Sequence, residues 1–509
     1  MTPPPPTGRL TPRLPVRRVL VFVAGLLCVQ AAWVLVVPPF RGLDEHDHAY
    51  KAAAVAGGDW GWDHERAPGG WGAFMDVPED MVEAARPICE KLPYTDSDNC
   101  VGRPSDRSGF VSVATSASHY NPAYYAVVGT AAAPFEGVAA LYAMRAAASI
   151  ICAILLGLAT LALRRWARSS WVMAGWLLVL IPMATYTCSV AAPNGLELAA
   201  ALLVWTSLLG IAARGPEPGL VMLAVTGAVP LVLVRGMGPV WLVLIVSTVA
   251  ILLRGEVWSR VLRSRSVWAG ALVVAAATVA AAWWTSSAGA TEIDSEIVFE
   301  DSPWPRVPRQ WMLWFFQALA AFPARNEPAH PAVYTIGFLT WLCFVVLAVA
   351  LARWRERIAL GFVLAAGSAV PIAMTVAVYA QLGLVWQGRY AYPFVAGFFL
   401  ICGFAIQRAG WPHARQARWP VWSATGVVIA TSLIGQIGVL TAELRDSPLA
   451  GTGAWVEPGI PHVVALHVVA GVLLASGLIP RGRDLGDAEY PSGRGMAGRQ
   501  LARPLRVGR

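Results

Sequence analysis

Val19–Val37 reads VLVFVAGLLCVQAAWVLVV, and the chain then turns through Pro38-Pro39 into Arg41-Gly42-Leu43-Asp44-Glu45-His46-Asp47-His48-Ala49-Tyr50. The first stretch carries no charge and, as a helix rising about 1.5 Å per residue, is long enough to cross about 30 Å of hydrocarbon. The second is the densest polar cluster in the chain, and it follows the apolar run directly. A membrane span that delivers acids and histidines to the water boundary is the frame from which the rest of the sequence is read.

Comparable runs recur at Leu141–Leu163, Trp171–Val190, Gly195–Ala213, Gly219–Val234, Pro239–Leu253, Val267–Thr285, Ala332–Leu351, Ile358–Leu382, Ala391–Ile406, Val421–Thr441 and Pro461–Ile479. With the first, they predict an all-α polytopic membrane protein of about 12 transmembrane helices, roughly 11 to 13. Composition agrees: the 509 residues are 56% hydrophobic and 14% charged, against about 25% charged in soluble domains, and mean hydropathy is +0.55. A soluble globular protein is excluded.

The formal charge is +8, from 39 basic and 31 acidic residues. The arginines collect between alternate apolar runs, as positive residues do on the cytoplasmic side, so the basic total reads as membrane topology and not as nucleic-acid binding. That register places both termini in the cytoplasm. Residues 1–18, with Arg9, Arg13, Arg17 and Arg18, and the tail 480–509 are expected to be basic and disordered, flanking a multi-pass domain over 19–479. A cleaved signal peptide is the competing reading of the first run. Its length and the lack of a small-x-small site after it favour an uncleaved anchor. The two short runs either side of Arg235 could also form one broken or re-entrant pair.

Two long loops are expected outside, 38–122 and 286–331. The first carries fourteen acidic against seven basic residues. On the oxidising side, Cys89 and Cys100 are candidates for a disulfide, since the other five cysteines fall in apolar runs.

In the polar cluster, Asp44 and Glu45 are candidate catalytic carboxylates: an acid at the lip of an apolar bundle has its pKa raised by desolvation and serves as a general base on a sugar or lipid hydroxyl. Asp44, Asp47 and His48 also offer ligands for a divalent cation, Mg or Mn, against the plainer reading of a hydrated loop start. Ser118-His119-Tyr120-Asn121-Pro122 closes the loop, either as an aromatic anchor or with His119 and Asn121 lining a site entrance. Arg389 and Tyr390, in Gln387-Gly388-Arg389-Tyr390, set a cation against the charge trend at the mouth of a span. A guanidinium there forks onto phosphate oxygens or snorkels to lipid headgroups. Arg235, between helix-breaking glycines and a proline, is ionisable at membrane depth, which marks function. In the second long loop, the aromatic run Gln310–Ala320 suggests an interfacial helix. No phosphate-binding loop, dinucleotide fingerprint or Gly-x-Ser-x-Gly is present, so soluble nucleotide donors are not indicated.

The order of DEHDHAYKAAAVAGGDW from Asp44, HYNPAYYAVVG from His119 and QGRYAYPF from Gln387 resembles domain-of-unknown-function family 2142, whose members look like relatives of the GT-C glycosyltransferases. Those are polytopic enzymes with an acidic motif in the first outer loop, using polyprenyl-phosphate sugars as donors. The resemblance implies Asp44 and Glu45 at the acidic catalytic position, His48 at the following histidine, and Arg389 with Tyr390 on the Gly-Arg-Tyr motif. Where the pattern has Asn-Pro-Asp, this chain has Ala192-Pro193-Asn194, so a second acidic group is missing there.

The reading that follows is a GT-C-like glycosyltransferase of a bacterial plasma membrane, moving a sugar from a polyprenyl-phosphate carrier to an envelope glycan, lipid or protein acceptor. Asp44 is the base, Glu45 and His48 orient it or hold a cation, and Arg389 with Arg235 neutralises the departing lipid phosphate. The alternatives are a transporter or flippase of lipid-linked glycans and a non-catalytic envelope-assembly protein. No clear internal repeat favours the transporter.

Overall fold

In the computed structural model, the described residues are 16–61, 63–67, 72–289, 298–323, 327–410 and 418–479. Of the expected disordered tails, 1–18 and 480–509, residues 1–15 and 480–509 lie outside them, while residues 16–18 are corrected to the first turn of the first helix. Among the described residues nine helices are long and apolar enough to cross a membrane: α1 (Val16–Val36), α6 (Gly137–Trp166), α9 (Asn194–Arg214), α13 (Arg265–Ser287), α15 (Pro331–Leu351), α16 (Trp354–Leu382), the pair α17 (Gly388–Val395) and α18 (Gly397–Ala409) taken as one, α19 (Trp419–Asp446) and α20 (Ile460–Leu478). Three shorter apolar helices, α7 (Ser170–Val179), α10 (Pro218–Val234) and α11 (Gly238–Leu252), join them.

The expected span Trp171–Val190 is corrected. It is α7 followed by the separate short helix α8 (Pro182–Thr187), because Pro182 forces Ile181 into extended backbone at φ −62°, ψ 166°. A second correction concerns class. The first long loop folds as a small α/β unit containing a three-stranded antiparallel sheet in the order β1-β3-β2, from β1 (Ala73–Pro78), β2 (Arg103–Pro104) and β3 (Phe110–Thr115). The molecule is therefore mostly helical and not all-α. Helices α2 (Glu45–Ala56), α3 (Glu79–Cys89) and α4 (Ser97–Cys100) pack around that sheet, and α5 (Pro122–Ala132) packs between α2 and α6.

Helix α9 lies at the centre, whereas α13, α15 and α16 are peripheral and turn large side chains such as Leu272, Val279, Leu339 and Val346 outward. Apolar residues facing out along whole helices fit a lipid surround, where packing and not the hydrophobic effect holds helices together. Helices α1 and α20 meet through small residues. A Cβ on Gly25 of α1 would sit 2.9 Å from the Leu474 nitrogen of α20, and α20 presents Gly477 to Phe22 in return.

The remaining helices are α12 (Gly255–Arg263) and α14 (Val307–Leu319). Helix α14 is the helix expected from the aromatic run of the second long loop. Three of its rings, Met312's neighbours Trp311, Phe315 and Phe316, are partly exposed, while Trp314 is buried and donates through Nε1 to the Trp386 carbonyl at 3.1 Å. Gln317 Oε1 accepts from the Gly388 nitrogen at 2.9 Å. Thus α14 fixes the start of α17, the helix that carries Arg389.

Candidate functional site

Pro38-Pro39 ends α1 by removing backbone donors, and the chain reverses before α2 begins. Two residues in that reversal are left-handed without being glycine, Phe40 at φ 62° and Asp44 at φ 54°, ψ 22°. Such backbone costs of order 1 kcal/mol or more and persists where the surroundings impose it. The imposing contacts are adjacent. Glu45 is fully buried and receives Arg145 of α6 in a fork, Nε to Oε1 at 2.8 Å and Nη2 to Oε2 at 2.6 Å. Glu45 also accepts from the Gly42 and Ala191 nitrogens at 3.2 and 3.0 Å. Arg145 spends its remaining donors on the carbonyls of Val34, Val37 and Pro38. One buried ion pair therefore clamps the end of α1, the turn and the start of α2.

Held by this clamp, Asp44 keeps part of its side chain open and places Oδ2 at 2.9 Å from Nη2 of Arg389. Arg389 is almost wholly buried, and among the described residues its Nε and Nη1 find no hydrogen-bond partner. Its position depends on Gly388, where a Cβ would lie 2.0 Å from the Trp314 carbonyl oxygen. The second cation is Arg235, in extended backbone at the turn between α10 and α11. Its Nη1 lies 3.5 Å from Oε2 of the buried Glu197 on α9. Both guanidiniums stack on the Tyr390 ring, Arg389 at 4.9 Å and Arg235 at 4.8 Å from its centre, and Arg235 also lies 5.8 Å from the Tyr120 ring.

His48, one helical turn beyond Asp44, completes the wall. Its Nδ1 meets the Tyr125 hydroxyl at 2.9 Å and its ring meets Tyr120 edge-on at 5.6 Å. Burial pushes the imidazole down to about 4, against the opposing pull of Asp44 and Asp47, with Arg235 and Arg389 adding to the depression. His48 is neutral at physiological pH.

The structure thus brings Asp44, His48, Arg235, Arg389 and Tyr390 to one place from three separated sequence motifs. Other candidates go elsewhere. Glu45, expected as a catalytic carboxylate, has no exposed surface and both oxygens committed to Arg145 and to backbone nitrogens. Asp47 turns to β3, accepting from Thr115 Oγ1 at 3.0 Å and the Ser116 nitrogen at 2.8 Å. His119 faces α13, its Nδ1 2.7 Å from the Ala288 carbonyl oxygen. Asn121 caps α5 by accepting from the Ala123 nitrogen at 3.0 Å. The expected cation site of Asp44, Asp47 and His48 is corrected as well. Their partners pull them three ways, and among the described residues no group of three or more His, Cys, Asp or Glu side chains is arranged to hold a metal. Cys89 and Cys100 are joined by a disulfide.

Sequence reading missed Arg145, Glu197, Tyr120 and Tyr125. The signal for the first two was present: a lone Arg within Leu141–Leu163 and a lone Glu within Gly195–Ala213 are ionisable groups at membrane depth, which require partners. Glu197 stands one turn beyond Asn194, in the first turn of α9.

Comparison with known proteins gives one assignment. The model of the family described as "Predicted membrane protein (DUF2142)" matches residues 27–398. The chain belongs to the DUF2142 family. That match runs from within α1 into α18 and so takes in every residue of the candidate site described above. No curated protein matches the chain. Among solved structures, it is similar to the crystal structure of ArnT from Cupriavidus metallidurans bound to undecaprenyl phosphate, with 16% identity over 92% of this chain and 77% of that one and a TM-score of 0.42.

Proposed function

We propose that the protein is a membrane glycosyltransferase that moves a sugar from a polyprenyl-phosphate carrier to an acceptor hydroxyl of the cell envelope, on the outer face of a bacterial plasma membrane. The observation that carries this reading is the convergence of two guanidiniums, buried Arg389 and half-buried Arg235, on a single aromatic ring, with the partly open carboxylate of Asp44 bonded to Arg389. The free site is balanced, Asp44 against Arg389 and Glu197 against Arg235. A phosphodiester adds one negative charge, and its oxygens meet Arg389 at the Nη2 edge that Asp44 gives up, while Nε and Nη1 have no partner among the described residues.

The chemistry follows the charges. Asp44 takes the proton of the acceptor hydroxyl, the acceptor oxygen bonds to the anomeric carbon, and the bond from that carbon to the phosphate oxygen breaks with its electrons left on the phosphate. Protonated Asp44 no longer competes for Arg389 at the moment the phosphate charge rises from one to two. The cation is released to the leaving group when transition-state charge develops, which is where preorganised donors contribute most. His48, neutral and anchored to Tyr125, shapes the wall beside Asp44 without adding charge. The disulfide of the first long loop fits the oxidising, outer side.

Polyprenyl-phosphate binding tests the lipid half of the proposal. In native mass spectrometry from nanodiscs, the wild type should retain a polyprenyl phosphate and discriminate against the corresponding alcohol. Arg389→Ala with Arg235→Ala should lose that preference by at least about tenfold, about 1.4 kcal/mol. Equal retention of phosphate and alcohol by the wild type contradicts the proposal.

A further inference from the structure

A cleft of about 550 Å³ has Asp44 in its wall, and among the described residues none of α17 lines it. Its walls are the turn between α1 and α2, the segment following α3, and the C-terminal end of α19. We infer that this cleft is the acceptor site, resting on the transferase reading above, and that it takes an uncharged or amine-bearing saccharide, to the exclusion of phosphorylated or uronic acceptors.

Three observations argue for it. Asp44 is shared: its Oδ2 faces Arg389, while the residue lines the cleft and keeps part of its side chain open. An acceptor hydroxyl in the cleft therefore reaches the base along walls that include neither Arg389 nor Arg235, which leaves the cations to the second substrate of a two-substrate transfer. The volume falls within the roughly 300–1,000 Å³ of small-ligand sites.

The charge of the lining selects the ligand. Asp44, Glu327, Glu443 and Asp446 stand against Arg41 and Lys91. Arg41 is already engaged, bonding Glu327 at 2.5 Å and Glu443 at 3.0 Å. An anionic acceptor would meet an excess of carboxylates with one lysine in compensation, whereas hydroxyls and ammonium groups donate to carboxylates. Phe40 and Tyr94 supply ring surface for the apolar face of a sugar.

The third observation is rigidity. The wall bearing Lys91 and Tyr94 follows directly on the Cys89–Cys100 disulfide, and Thr95 Oγ1 ties it back to the Cys89 carbonyl at 2.6 Å. The opposite wall, at Glu443, is fixed through Arg41. Walls locked on both sides suit a preformed site.

Saturation-transfer NMR on the full chain in nanodiscs tests the inference with three probes: mannotriose as neutral, chitosan trisaccharide as amine-bearing, and trigalacturonic acid as anionic. The wild type should bind the first two and not the third. Asp446→Lys and Tyr94→Ala, made separately at the rim, should each weaken mannotriose binding by at least about tenfold, about 1.4 kcal/mol, while polyprenyl-phosphate retention stays as in the wild type. Failure of mannotriose and chitosan trisaccharide to bind, insensitivity to both variants, or preferred binding of trigalacturonic acid overturns the acceptor assignment. Loss of polyprenyl-phosphate retention by the wild type, with saccharide binding intact, overturns the transferase reading and leaves a saccharide site without that role.

Discussion

Breaking the Glu45–Arg145 clamp should unfold the first turn before it touches the substrate groups. Both side chains have no exposed surface, so neither regains water when the other is removed. Arg145→Met strips Glu45 of two charge-assisted bonds and leaves the carbonyls of Val34, Val37 and Pro38 without this donor. Glu45→Gln leaves a buried guanidinium without its counter-charge. Removing one partner of a buried pair costs about 3–5 kcal/mol, whereas removing both charges together often costs far less. Total stability is on the order of 5–15 kcal/mol, so each single change takes a large share of it. The assay is reversible unfolding in mixed micelles titrated with dodecyl sulfate, run on wild type, Glu45→Gln, Arg145→Met and the double variant. Each single variant should lose about 3–5 kcal/mol, and the double variant should lose less than the sum by about 3 kcal/mol. Additive losses below about 1 kcal/mol each would show that the pair does not clamp the turn.

Asp44 separates function from stability. Asp44→Gly and Asp44→Ala both remove the carboxylate, but at φ 54° glycine is unstrained, so the Gly variant should be more stable than the Ala variant by about 1 kcal/mol, read as an ordered pair of thermal midpoints, with sugar transfer absent in both. His48 sets an acid limit. An unfolded His48 takes a proton below about pH 6.5, and the folded one resists until about 4, so the unfolded state binds more protons in that window. Stability is full above the window and falls by about 3 kcal/mol as pH drops through it, and His48→Asn should flatten that part of the profile in unfolding midpoints from pH 7 to 4. Reducing the Cys89–Cys100 disulfide, whose partners are 11 residues apart in sequence, should destabilise the first loop by about 3 kcal/mol, detected as increased amide exchange in α3 and α4. Gly388→Ala sets a Cβ against the Trp314 carbonyl, so overpacking of about 1–3 kcal/mol should appear in the unfolding midpoint, together with weaker polyprenyl-phosphate retention because Arg389 moves.

The apolar runs were legible because lipid demands uninterrupted apolar helices, and each expected run has a helical counterpart. The exception at Ile181-Pro182 was also written in the sequence, as a proline whose effect on the preceding residue outranked the continuous hydropathy. The three-stranded sheet was harder to see. Its two longer strands, AFMDVP and FVSVAT, have 6 residues each and pair across 31 intervening positions, so no local signal joins them. Within the site, residue types that are costly to bury announced themselves: Arg235 and Arg389 meet at the Tyr390 ring, and Asp44 is bonded to Arg389. Which acid of the Asp44-Glu45 pair faces the cleft was not legible, because it depends on Arg145, about a hundred positions away. His119 and Asn121 show the converse. Both have functional chemistry, yet a backbone carbonyl of the α13 end takes one and the α5 cap takes the other.

The most direct test of the central claim is transfer of radiolabelled sugar from a panel of polyprenyl-phosphate donors by the purified protein in liposomes, beside Asp44→Asn. Asparagine keeps the shape of the side chain and its tolerance of left-handed backbone but cannot take the proton. The account predicts transfer by the wild type with at least one donor and its loss, by about two to four orders of magnitude, in the variant. Transfer by Asp44→Asn at the wild-type rate would contradict it.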